Sequence, residues 1–301
     1  MLIKKAFEFV PLLLVLGAVQ AAAATRCKDY VPQPRPQNTT RSFVGADLDT
    51  IEDRGYITFA AYEDFPPWSF DQDGKPAGVD IEIGKLIANE IGVEARFMLV
   101  TAGENLQTDL RNWIWKGPIV GGDVANVMLH VPYDSEFACR VEQVVFTGQY
   151  HDEKLAIAYR KDAYPEEPPV PAYFRFDTVA VENDTISDFF LTSFPGGQLA
   201  QNISRYRTMA MAMQGLVAGE TMAAMGPLSQ LEDGITDNIG VHTPPLPGFA
   251  LNTWTIGVAV HFSYRPLGYA VDDAIYGALQ DGRMKQIFAR AGLSFSPPKL
   301  R

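Results

Sequence analysis

Phe65-Pro66-Pro67-Trp68-Ser69-Phe70, Asp71-Gln72-Asp73-Gly74-Lys75 and Gly78-Val79-Asp80-Ile81-Glu82-Ile83 form the stretch whose reading decides the fold. Just upstream, Tyr56 to Tyr62 (YITFAAY) is a short run of residues that favour strands, and the double proline after it cannot continue a ladder. The strand therefore ends by Phe65. Asp73-Gly74 marks a tight two-residue hairpin, because both residues tolerate the positive φ such a turn demands. Asp71 and Asp73 read as a solvated turn rather than the start of a calcium loop, since no acidic residues follow at EF-hand spacing. From Asp80, a residue able to cap a helix, Ile81, Ile83, Leu86, Ile87 and Ile91 recur at mostly helical spacing, which predicts a helix to Ile91.

Working outward, strands are expected at Val93 to Val100, Val124 to Val131 and Val141 to Thr147, with a helix from Asn105 to Trp115. Glu153 to Arg160 (EKLAIAYR) and Trp254 to Val260 (WTIGVAV) are two strand-like runs that bracket a complete internal α/β block. Inside it lie a strand at Thr178 to Val181, helices at Thr185 to Leu191 and Met209 to Val217, and a turn at Gly219 leading into a buried strand ending near Met225. Helices at Pro266 to Leu279 and Asp281 to Ala291 close the chain. Alternating strands and helices imply a mixed α/β fold with helices on both faces of the sheet.

The first 24 residues carry Lys4 and Lys5, an apolar run from Phe9 to Val19 and alanine-rich cleavage sites, the pattern of a secretory signal peptide. That run is too short for a membrane span. Residues 25–44, rich in proline and polar side chains, are expected to form an extended arm. The formal charge of −11 becomes −12 once Lys4, Lys5 and Glu8 leave with the leader, which disfavours nucleic acid and anionic membranes as partners. About 275 mature residues, 301 less the leader, exceed a comfortable single core and predict two lobes. Cys27 and Cys139 form one disulfide in an exported compartment, or remain two separate thiols; with no third cysteine a thiolate-rich zinc site is excluded.

The aromatic-proline loop, the DGK hairpin, the G-x-D-I-E-I helix entry and the closing MKQIFARAG helix resemble family 3 solute-binding proteins, the soluble receptors of bacterial importers. The resemblance implies a type II periplasmic binding fold. Its lobe 1 is 45–152 plus 262–301, its lobe 2 is 153–261, and two crossing strands join them. It implies a periplasmic location and an aromatic cleft wall at Phe65 and Trp68.

Arg140 has the register of the arginine that pairs with a ligand carboxylate in amino-acid receptors, with a salt bridge to Glu136 or Glu142 as the alternative. Where such receptors carry hydroxyls, this chain has Met128-Leu129-His130-Val131-Pro132-Tyr133. Where they carry an ammonium-binding aspartate it has Met225-Gly226-Pro227. Asn183-Asp184-Thr185 replaces a Gly-Thr-Thr-like helix entry. A zwitterion needs both charges paired, so an ordinary amino-acid ligand is disfavoured. The expected cleft residues are Phe65, Trp68, Met128, His130, Tyr133, Arg140, Asn183, Thr185 and Met225, although the methionines and aromatics fit a core equally well.

Arg111-Asn112-Trp113-Ile114-Trp115-Lys116-Gly117, Gly121-Gly122-Asp123-Val124 and Pro244-Pro245-Leu246-Pro247-Gly248 resemble a narrower group, the receptor-like proteins associated with quinoprotein methanol dehydrogenases (MxaJ/XoxJ type). That resemblance implies a non-catalytic accessory of a periplasmic quinoprotein dehydrogenase, with the quinone cofactor and metal held by the dehydrogenase and none by this chain. The alternative is the substrate receptor of an ABC permease for a small polar or amino-acid-like solute. No histidine pair has metal-ligand spacing and no Gly-x-Ser-x-Gly elbow occurs. His130 near Asp134 is either a dyad or a loop histidine. Some proteins of this fold are enzymes using a cleft carboxylate, for which Glu182 is the candidate.

Overall fold

The computed structural model describes residues 45–246 and 249–299. The expected signal peptide and arm, with Cys27, lie outside the described residues. A helix absent from the sequence reading comes first: α1 (Leu48–Arg54), capped by the Asp47 carboxylate on the Thr50 amide at 2.9 Å. Strand β1 (Tyr56–Tyr62) follows as expected. The aromatic loop and hairpin form a small sheet of β2 (Asp64–Phe65), β3 (Ser69–Gln72) and β4 (Lys75–Ala77), with Asp73 and Gly74 both at positive φ in the turn.

Helix α2 (Val79–Ile91) begins one residue earlier than predicted, and its cap is Gly78 rather than Asp80. At Gly78 φ is 116°, and an added Cβ would sit 2.3 Å from the Trp68 carbonyl oxygen. Only glycine lets the chain pass so close, and the close passage allows the Val79 and Asp80 amides to bond the Pro67 and Trp68 carbonyls. The loop is thereby stitched to the helix. Asp80 falls inside the first turn and is fully buried.

Strand β5 (Glu94–Val100) pairs in parallel with β1. The predicted helix at Asn105–Trp115 is α3 (Leu106–Leu110) continuing into a π-turn at Arg111–Trp115. Next come β6 (Val127–Tyr133) and α4 (Ser135–Arg140). The two strands expected at Val141–Thr147 and Glu153–Arg160 are one, β7 (Val144–Arg160), 17 residues long. The second block holds β8 (Val179–Glu182), α5 (Ile186–Thr192), β9 (Ile203–Tyr206), α6 (Met209–Ala218), β10 (Ala223–Pro227), α7 (Leu228–Asp233) and β11 (Ile239–His242). Strand β12 (Thr253–His261) returns along β7, and α8 (Arg265–Asp281) and α9 (Arg283–Arg290) finish the fold.

The described strands, apart from the small hairpin sheet, form one sheet in the order β5-β1-β6-β12-β7-β10-β8-β9, with β11 on the far end of β7. In the first lobe Ile57, Phe59, Ile81, Ile87, Val271 and Phe288 pack one face under α2, α8 and α9, while Met128, Val131, Leu110 and Ile114 pack the other. Alternation does the same in the second lobe. Leu155, Ile157 and Met225 face one side, and Ala156, Ala158 and Ala224 face α6, where small side chains admit the helix. Ile256, Val258 and Val260 of β12 belong to the first-lobe core.

Where the lobes meet, both partners of β12 bulge. Between Gly257 and Ala259 the register with β6 slips, leaving Leu129 and His130 opposite one residue. Between Ile256 and Val258 the register with β7 slips around Gly148. His130 and Gly148 take φ of 55° and 57°. A bulge turns two successive side chains to one face, and here it brings His130 beside Leu129 on the side of Trp68.

Candidate functional site

Strand directions define the site. β1, β5 and β6 run parallel, and β7 runs with them because both β6 and β7 are antiparallel to β12. β10 is antiparallel to β7, and β8 and β9 follow β10. The carboxyl ends of the first-lobe strands therefore point at the carboxyl ends of the second-lobe strands. Loops after β1 and β6 confront loops after β8, β9 and β10 across one crevice, the place where open α/β sheets take ligands.

On the first-lobe side, Asp64, Phe65 and Pro66 follow β1. Phe65 meets Tyr62 and the His130 ring edge-on, at 6.0 and 4.8 Å between centroids. Behind it lies a buried polar cluster. The Tyr150 hydroxyl donates to Asp80 Oδ1 at 2.7 Å, and His130 Nδ1 stands 3.2 Å from Asp80 Oδ2. That second contact is misaligned, and neither atom completes a hydrogen bond. Asp80 and Tyr150 are fully buried and His130 is 7 % exposed. Burial, and then the Asp80 charge, push the Tyr150 phenol well up, so it stays a neutral donor.

On the second-lobe side, Glu182 ends β8 and accepts the amide of Met209, the first residue of α6, at 3.1 Å. Burial raises its pKa, and the charge of Asp64 across the crevice raises it further. Asn183, Asp184 and Thr185 lead into α5, with Thr185 as the cap. Together with Asp188, Phe189 and Arg205 they border a pocket of about 390 Å³. Arg205 is already engaged there, forked onto Asp188 at 2.8 to 3.1 Å and bonded to Thr192. A second groove of about 400 Å³ runs from Pro66 of the first lobe to Met213, Gln214, Gln230 and Asp233 of the second.

The expected site residues divide accordingly. Phe65 and His130 come together at the crevice, Tyr133 ends β6 half-buried at its edge, and Asn183 and Thr185 stand on the facing wall. Trp68, Met128 and Met225 are buried core residues: Trp68 packs against His130, His151 and Phe288, and the methionines fill opposite lobes. Arg140 ends the unforeseen helix α4, exposed, with its guanidinium 5.7 Å over the Phe137 ring. α4 follows the carboxyl end of β6, the end that faces the crevice. Asp134 caps α4 through the Phe137 amide, and the partner of His130 is Asp80 instead. Cys139 is disulfide-bonded, while Cys27 lies outside the described residues.

Sequence reasoning missed Asp80 and Tyr150, and weighed Glu182 only as an enzymatic acid. An aspartate one residue from the apolar stripe of α2 was the available signal. Among the described residues no group of three His, Cys, Asp or Glu is placed to hold a metal ion, and no helix is long and apolar enough to cross a membrane.

Residues 57–112 match the model of the bacterial extracellular solute-binding proteins, family 3. No curated protein matches the chain in sequence. An ancestral cationic amino acid solute binding protein, AncCDT-1, superposes with a TM-score of 0.67 at 21% identity, covering 81% of this chain and 99% of its own. The arginine-bound substrate-binding protein of an amino acid ABC transporter from Streptococcus pneumoniae gives 0.58 at 20% identity, over 83% and 99%. The fold is that of a type II periplasmic binding protein. A second structure of AncCDT-1, described as a precursor of cyclohexadienyl dehydratase, gives 0.58 at 20% identity over 81% and 98%.

Proposed function

We propose that the protein is a non-catalytic periplasmic receptor that encloses a small solute between its lobes and presents it to the permease of an ABC importer. The observation that carries this reading is the confrontation of strand carboxyl ends across a crevice whose lobes are joined by β7 and β12. The match of residues 57–112 to a solute-binding family supports it. A ligand bound only by the folded state raises the melting temperature, by the equivalent of about 2.7 kcal/mol at a hundredfold excess over Kd. The test is a thermal-shift panel of amino acids, amines, carboxylates and sugars on the mature protein. A concentration-dependent rise is expected for one class, and a flat response to every class removes the receptor reading.

A second reading, accessory partner of a periplasmic quinoprotein methanol dehydrogenase, is supported by a separate feature. The sequence motif resembling that group runs into a loop where Ile119 and Val120 are 89% and 96% exposed. Apolar side chains so exposed in one loop fit a protein contact. Co-purification of the dehydrogenase with the wild type, lost in an Ile119→Ser/Val120→Ser double variant, is the expected result on this reading. Equal recovery with both forms counts against it.

A further inference from the structure

Among the described residues, the first part of β7 leaves one edge of the first-lobe sheet open. β12 pairs one side of β7 from Val144 to Lys154, whereas β10 takes the other side only from Leu155 onward. Before that point, groups from outside the strands bond this second side. Asp272 Oδ1 accepts the Gly148 amide at 3.0 Å, and the Ser296 carbonyl accepts the Asp152 amide at 2.9 Å. Main-chain groups on one edge of a strand recur every second residue, so Phe146 presents its N–H and C=O on the same side as Gly148. Cys139 stands next to this edge. It lies on α4 two residues after Phe137, whose ring meets the Phe146 ring edge-on at 5.8 Å, and it is disulfide-bonded. The sequence holds one other cysteine, Cys27. The bond therefore delivers residues 28–44 to the edge, and the chain enters the described structure at Gly45, whose carbonyl accepts the Tyr264 hydroxyl at 3.2 Å.

The delivered segment has the sequence of an edge strand. In Tyr30-Val31-Pro32-Gln33-Pro34-Arg35-Pro36-Gln37, proline occupies every second position. In an extended chain the three prolines aim their nitrogens to one side, with no hydrogen to give, while Val31, Gln33 and Arg35 keep N–H groups on the other. Such a strand pairs along one side alone, the situation in which sheets admit proline. Charge fits as well. Residues 28–44 carry +2, from Lys28, Arg35 and Arg41 against Asp29, and Glu136, Glu142 and Asp272 flank the edge of a chain whose total is −11. A run antiparallel to β7 ends at the amino end of β7, three strand spacings or about 14 Å from β6. Gly45 lies there against Asn126, and residues 38–44 reach about 23 Å.

We infer that residues 31–35, tethered by a Cys27–Cys139 disulfide, add a strand antiparallel to β7 along Val144–Thr147, with the proline nitrogens turned away from the sheet. The added strand closes an edge that is otherwise a template for another chain, and its prolines leave no new edge in its place.

The experiment is peptide mapping of the mature protein without reductant, followed by amide exchange measured by NMR. Mapping is expected to give a Cys27–Cys139 peptide from a monomer; a disulfide-linked dimer or two free thiols overturns the tether. Exchange at Phe146 is read relative to Asp152, whose amide Ser296 holds. Gln33→Pro removes an N–H from the pairing side and is expected to speed exchange at Phe146 by about tenfold, as the loss of a local protecting bond does. Pro34→Ala, on the opposite side, is expected to leave it unchanged, and Cys27→Ser to speed it. Equal exchange at Phe146 in wild type, Gln33→Pro and Cys27→Ser overturns the strand, and so does an equal response to Gln33→Pro and Pro34→Ala.

Discussion

The Tyr150 hydroxyl and the Asp80 carboxylate, 70 residues apart in sequence, meet at 2.7 Å with both side chains fully buried. Tyr150→Phe keeps the ring and removes the donor, leaving a buried carboxylate further short of partners. The expected cost is about 1–3 kcal/mol of unfolding free energy by urea denaturation. An unchanged midpoint would show that the bond contributes nothing net.

His151 predicts a pH dependence. It is 2 % exposed, stacks on Phe288 at 4.6 Å and accepts the Ser296 amide through Nδ1. Burial, followed by the charges of His130 and Lys154, lowers its pKa from 6.5 to about 3. Its folded value lies below its unfolded one, so the unfolded state takes up more protons across that window. Stability is complete above pH 6.5 and falls as the pH drops toward 3, with a slope of up to about 1.4 kcal/mol per unit. In His151→Gln the slope of stability against pH over this range should flatten by nearly that amount.

Glu153 gives the opposite sign. It is buried, accepting from the Ser229 hydroxyl and the Lys154 amide, and burial raises its pKa. A carboxyl raised on folding contributes stability that is present below its unfolded value of 4.5 and lost as pH rises through the folded one. Glu153→Gln is therefore expected to be more stable than wild type at pH 7.5, by about 1 kcal/mol, with the gain vanishing below pH 4.5. Thermal unfolding at the two pH values decides it, and a loss at pH 7.5 would mean that the charge itself organises Ser229.

At Gly257 an added Cβ would lie 2.8 Å from the Thr147 carbonyl oxygen, a backbone atom that cannot step aside. At Gly148 it would meet Ile275 Cδ1 at 2.5 Å in a backbone of φ 57°. Gly257→Ala and Gly148→Ala should each lose about 1–3 kcal/mol. If the two are as stable as wild type, the bulges relax more freely than their packing implies.

Elements with strong local signals were legible in the sequence. β1, the Asp73-Gly74 hairpin, α2, α6 and the two closing helices follow from apolar periodicity and turn residues, and they lie within a residue or two of expectation. β7 was not, because Gly148-Gln149-Tyr150-His151-Asp152 looks like a break. Those residues stay in the strand because Thr253 to Ile256 pair with its upper half and because Tyr150 and His151 find buried partners from other elements. α1, α4 and α7 span six or seven residues, too few for a period to declare itself. That hid the short helix that ends at Arg140. The crevice was half legible: Phe65, His130, Asn183 and Thr185 were named from the chain, but the Asp80–His130 pairing depends on a bulge that no local pattern announces.

The unbroken course of β7 bears on how the molecule moves. Lobes tied by slack segments swing freely and let the solute choose the angle. Here the tie is a paired ribbon whose pitch is set by the two bulges and by the Thr255 hydroxyl bonded to Asp152 at 2.6 Å. Such a ribbon yields by winding and unwinding along its length, like a torsion bar. Its resting angle is then a property of the polypeptide, and under the proposed receptor function a solute is selected by how well it fits that gap.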